Sequence, residues 1–115
     1  MTSQGSAHGR FARALRSRNL FQAELALREM GTPSLAVALD YLVLLVQLEK
    51  REKARLAAVK WLGRLQLEAR TMTLDESRFA LAALEMLVAG ESEVVPVLQR
   101  LLGRVQPTVA ARGVY

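Results

Sequence analysis

The sequence predicts an all-α domain, with five to six short helices set as stacked helical hairpins or an irregular bundle. Three observations carry that expectation. The segment from Ser34 to Leu48, SLAVALDYLVLLVQL, is rich in helix formers and has Asp40 as its only charge. A surface helix keeps a polar face opposite its apolar stripe, so a helix that is apolar all round belongs in the centre of a fold or at a subunit contact. Helix caps and glycine stops recur along the chain, while the two-residue alternation of strands is almost absent.

In chain order, residues 1–9 read as a flexible leader, 10–103 as one helical domain and 104–115 as a flexible tail. Arg10 to Ser17 forms a basic amphipathic helix with Phe11, Ala14 and Leu15 on one side. Asn19 caps the second helix with Gln22 at the third position of a capping box. That helix runs through Met30, sets Glu24 one turn before Arg28, and stops at Gly31, which is free to turn left-handed. Thr32 as cap and Pro33 as first helical residue restart the chain at once. The central apolar helix therefore lies near 33–48, beside the second.

The polar run Glu49 to Lys53 separates it from a fourth helix ending near Ala69. Around that helix Ala54, Ala58, Val59, Trp61, Leu62, Gly63, Leu65 and Leu67 span a wide apolar arc, so two neighbours are expected to touch it. Thr73 and Glu76 make a capping box for a fifth helix, closed by Gly90, with Leu74, Leu81, Leu84 and Val88 as core and Phe79 assisting. A last helix starts near Pro96 and ends at Leu102, before Gly103.

Composition limits the function. The 115 residues suit one core, and 51% hydrophobic content describes a chain that folds. There is no cysteine, which removes disulfides and thiolate chemistry and fits a cytoplasmic setting. The apolar segment is too short to span a membrane, which takes about 20 apolar residues. The net charge of +5 is unevenly spread: residues 1–23, 50–70 and 100–115 are basic, and 24–49 and 71–99 are acidic. Such blocks attract one another within a fold, which leaves less charge for an outside partner.

The residues for catalysis are not assembled. His8 is the only histidine and falls in the leader; a general base has to be held in place. Neither a zinc site nor a nucleophilic triad can be built without cysteine and with one histidine. The acids Asp75, Glu76, Glu91 and Glu93 suit first turns of helices, where they complement the dipole. No catalytic, metal or cofactor residue is expected, and the chain reads as non-enzymatic.

The residues for binding are more suggestive. Asp40, an acid in an apolar helix, calls for a partner; Arg55 on the fourth helix is the expected one, with Arg16 and Arg28 as substitutes, in an ion pair fixing helix register. Trp61 is either core or an interface anchor, since tryptophan and arginine dominate binding hot spots. With Leu42 and Leu45 it marks the expected protein interface. Arg10, Arg13, Arg16, Arg18, Lys53, Lys60 and Arg64 would contact phosphates if the first and fourth helices shared a face, without sequence readout.

The run Ala23-Glu24-x-Ala26-x-Arg28-Glu29-Met30-Gly31, the segment Val59-Lys60-Trp61-Leu62-Gly63-Arg64-Leu65 and Leu81-Ala82-Ala83-Leu84 resemble small all-helical proteins of high-GC bacteria over about residues 10–102. Thirteen arginines against three lysines fit such a coding sequence. The resemblance implies the helical fold and no activity, cofactor or site. The expected function is protein interaction or assembly, as an adaptor that binds a protein partner or pairs with itself as a homodimer. The alternative is association with nucleic acid through the basic residues.

Overall fold

Four helix starts are set by a side chain that accepts from the backbone of the first turn. The structure, a computed structural model, describes residues 6–105. In it Ser6 Oγ accepts from Gly9 N–H (3.0 Å) ahead of α1 (Ala7–Ser17), and Asn19 Oδ1 accepts from Gln22 N–H (3.1 Å) ahead of α2 (Leu20–Met30). Ser34 Oγ accepts from Val37 N–H (3.2 Å) ahead of α3 (Leu35–Gln47). At α5 (Leu74–Val88) the full capping box forms: Thr73 Oγ1 accepts from Glu76 N–H (3.1 Å) and Glu76 Oε1 from Thr73 N–H (2.8 Å). The long helix α4 (Arg51–Glu68) starts at Lys50 without a side-chain cap. A single 3₁₀ turn (Ser92–Val94) leads into α6 (Val95–Val105). Among the described residues there is no strand.

Several boundaries differ from the sequence expectation. Helix α1 begins at Ala7, because Ser6 is a better cap than anything nearer Arg10, so residues 7–9 and His8 are helical. The cap of α3 is Ser34 rather than Thr32, and Pro33 precedes the helix instead of opening it. Helix α4 starts three residues earlier than Ala54, and α6 continues through Gly103 to Val105. The expected tail lies, beyond Val105, outside the described residues.

Three helices end in one way. Arg18 (φ 54°), Glu49 (φ 58°) and Gly90 (φ 105°) turn left-handed, and the next amide reaches back over the last turn: Asn19 to the Ala14 carbonyl (2.9 Å), Lys50 to Leu45 (2.9 Å), Glu91 to Met86 (3.0 Å). These are Schellman closures, which favour glycine at the left-handed residue. Glu49 meets that demand with a side chain that crowds its own carbonyl. Replacing Glu49 by glycine is expected to raise stability by about 0.5 kcal/mol, the relief of strain exceeding the extra unfolded-chain entropy. Thermal denaturation checks this, and a lower Tm would refute it.

Helix α3 is a wedge between two cores, which is why it is apolar all round. One face, Leu35, Leu39, Leu42 and Leu45, is buried against α4, α5 and α6. The other, Val37, Tyr41, Leu44 and Leu48 at helical spacing, meets Phe11 and Ala14 of α1 and Ala23 and Ala26 of α2. The closest packing is α1 on α2 and α3 on α4. Oppositely charged blocks do join: Arg10 bridges to Glu29, Lys53 to Glu24 (3.0 Å) and Arg104 to Glu76. Thr71 Oγ1 also donates to the Val105 carbonyl (3.3 Å), tying the end of α6 to the α4–α5 turn.

The molecule measures 43 × 41 × 20 Å. A helix with its side chains is roughly 10–12 Å across, so the slab is no more than two helices thick. Such a shape has too few layers to cover every apolar side chain. On α5 the buried face is Ala80, Ala83, Leu84 and Leu87, while Leu74 (76% exposed), Phe79 and Leu81 (48%) are left in water. This corrects the sequence expectation that Leu74 and Leu81 belong to the core: the small alanines let α5 approach its neighbours, and the larger residues fall to its flank.

Candidate protein-docking groove

Helix α4 has an apolar side with no cover. Ala54, Ala58, Trp61 and Leu65, spaced i, i+4, i+7 and i+11, are buried. On the opposite side Leu56 (63% exposed), Val59 (66%) and Leu67 (82%) face water. Between this side and the flank of α5 runs a groove of about 820 Å³, with Val59, Leu62, Leu81, Leu84 and Val88 among its apolar walls. Arg51 and Arg55 line it on α4, and Glu85 is its one carboxylate.

The expected interface residues lie elsewhere. Leu42 and Leu45 are wholly buried in the α3–α6 core, and Trp61 is 2% exposed. The Trp61 Nε1 proton is donated to the Leu35 carbonyl at 2.8 Å, which anchors α4 against the start of α3. A partner cannot reach any of the three in the folded chain. The surface of α3 is spent largely on the chain's own helices, so Leu42, Leu45 and Trp61 offer no exposed surface.

The Asp40–Arg55 ion pair does not form. Arg55 sits on the groove side of α4 with Ala58, Val59 and Leu62, and among the described residues Asp40 has no cation within salt-bridge distance. Asp40 is half-buried, and burial alone pushes its carboxyl above the usual aspartate range. A raised folded pKa means that the native state holds the proton more tightly. The contribution of Asp40 is therefore most favourable below the unfolded pKa and is lost as pH rises through the folded one. Asp40→Asn should raise Tm at neutral pH and shrink the gain toward acid. An equal or lower Tm at neutral pH would show that Asp40 has a stabilising partner.

Glu24 is a carboxylate that joins three helices. Its Oε2 accepts from Tyr41 Oη (2.7 Å) and from Lys53 Nζ (3.0 Å), linking α2, α3 and α4. Burial pushes its pKa up, but the Tyr41 hydrogen bond and Lys53 outweigh burial and leave it below the usual range. Burial and the same acid raise the Tyr41 phenol well above its ordinary value. A phenol held so firmly protonated is a poor proton donor, and the group reads as a clamp. Glu24 takes these partners instead of an ion pair with Arg28.

The seven basic residues do not form one free patch. Arg10 pairs with Glu29, Lys53 with Glu24 and Arg64 with Glu68 (2.8 Å), and Arg13 lines a small hollow with Arg10, Ser17 and Gln22. Arg16 and Arg18 are exposed at the end of α1, Lys60 on α4. Helix α1 packs on α2 and α3, and α4 on α3 and α5. Among the described residues no polar side chain is fully buried, no group of three acids or histidines could hold a metal ion, and no helix is long and apolar enough to cross a membrane.

No family model, curated protein or solved structure matches the chain. The groove is therefore read from its own geometry. Its walls were partly visible in the sequence as the apolar arc of α4, but sequence reasoning placed that arc inside. The signal for an exposed side was its width: the apolar residues of α4 point in nearly every direction, more than the helices of one slab can cover.

Proposed function

We propose that the protein acts by binding another protein, with the groove between α4 and α5 as the docking surface. The observation that supports this most is the open apolar wall of Val59, Leu62, Leu81 and Val88 on a chain whose core is already filled. Covering these side chains would remove apolar surface from water, which favours association. Helix-in-groove recognition fits such a surface, because an amphipathic helix lays its apolar face between two others. An adaptor or assembly role follows, with binding rather than catalysis as the work of the chain.

The experiment is affinity capture from the source cells, followed by reconstitution with the purified partner, using the wild-type chain and Val59→Glu. Val59 is largely exposed, so the substitution should leave helicity and Tm unchanged. It should weaken the reconstituted complex by at least tenfold, since an apolar contact is replaced by a desolvated charge. A partner that binds both chains equally would contradict the assignment. Partners retained only at low salt and consisting of nucleic acid would favour phosphate binding through Arg16, Arg18 and Lys60.

A further inference from the structure

We infer that the occupant of the α4–α5 groove is an amphipathic helix of a partner protein whose carboxylates meet Arg51 and Arg55. The inference rests on the docking assignment above and adds the chemistry of the partner.

Arg51 and Arg55 stand one turn apart on α4 and both line the groove. Neither has an ionic partner among the described residues, and Glu85, the one acid in the lining, is bridged to neither. Two like charges at i, i+4 repel. Arg51 also opens α4, where the helix dipole disfavours a cation and no side-chain cap forms, with Glu52 the acid of that turn. A carboxylate from outside would relieve the repulsion, because arginine binds carboxylates through two parallel hydrogen bonds.

The apolar walls set the rest of the partner. On α4 the groove is lined from Arg51 to Gln66 and on α5 from Leu81 toward Ala89, about 22 Å and about 12 Å of helix at 1.5 Å per residue. The stretch walled on both sides takes a helix of roughly two to three turns. Its apolar residues would cover Val59, Leu62, Leu81 and Val88, and its acids would lie at the end near Arg51 and Arg55.

Other occupants suit the charge less well. A second copy would bring its own net charge of +5 and, with α4 against α4, the same arginines. Residues 106–115 carry Arg112 and no aspartate or glutamate. A fatty acid would supply one carboxylate, but the groove is an open cleft and not an enclosed cavity, and small-ligand sites enclose most of their ligand.

Fluorescence anisotropy tests the inference with two labelled synthetic helices that share a leucine face, one flanked by glutamates and one by lysines. Wild type, Arg51→Ala/Arg55→Ala and Val59→Glu are compared. The glutamate peptide should bind wild type about tenfold more tightly than the lysine peptide, the worth of one charge-assisted contact. The double arginine variant should erase that preference while still binding, and Val59→Glu should weaken both peptides. Equal binding of the two peptides to wild type would overturn the acidic partner and leave the docking groove standing. Binding of neither would remove the groove as a helix-docking surface as well. Displacement of the glutamate peptide by palmitate at stoichiometric concentration, or a dimer in light scattering that Val59→Glu dissolves, would overturn the inference in favour of a lipid or a second copy.

Discussion

Trp61→Ala should destabilise the protein by about 3–5 kcal/mol, lowering Tm by on the order of 15–25 °C. The indole is buried at 2% exposure in the core shared by α3, α4, α5 and α6, so its removal leaves a cavity that the surrounding leucines cannot fill without moving. It also loses the 2.8 Å hydrogen bond to the Leu35 carbonyl, which fixes α4 against the start of α3. Trp61→Phe separates the two losses. It keeps most of the volume and removes the donor, so a smaller cost of about 1–2 kcal/mol is expected. Urea denaturation of the three chains measures both. Near-equal stability of wild type and Trp61→Ala would place the indole outside the core, and the expected interface role of Trp61 would return.

Leu44→Ala is the second large effect, at about 2–5 kcal/mol, and its consequence should be local. Leu44 is the fully buried residue through which α3 holds the core of α1 and α2, whereas Leu42 and Leu45 face α4 to α6. Helices α1 and α2 pack mainly on each other, and their remaining ties to α3 are few. Hydrogen exchange should therefore show α1 and α2 losing protection first in Leu44→Ala, while α4 and α5 keep theirs. Leu42→Ala should instead loosen α4 to α6. A uniform loss of protection in both variants would mean that the two cores open as one unit.

The fold was legible where chemistry is local. Asn19 and the Thr73–Glu76 pair could be read as caps because a polar acceptor before an apolar run has few other uses. The central place of α3 followed from the absence of a polar face. Threonine and serine flanking Pro33 offer two caps two residues apart, and the sequence does not say which the chain takes. Pattern reasoning follows hydrophobicity and assigns Leu74 and Leu81 to the core, while packing follows the small residues Ala80 and Ala83. Asp40 has only a local signature, a charge among apolar neighbours, and its lack of a partner is a property of the assembled helices.

The candidate site was legible only as a surplus. The arc around α4 called for two neighbours; α3 takes the buried side and α5 one flank, and Leu56, Val59 and Leu67 remain uncovered. No pattern within the chain reveals whether the missing cover is supplied by another molecule. Arg51 and Arg55 belong to the same surplus: in sequence they are two of many cations, and only the folded chain puts them beside an apolar wall without a counterion.

Hydrogen exchange of the protein alone and in complex with its purified partner tests the docking assignment most directly. Amides of α4 and α5 should gain protection on binding, with α1 and α2 unchanged. Protection gained on α1 and α2 alone would place the partner on the opposite core and contradict the groove as the docking surface.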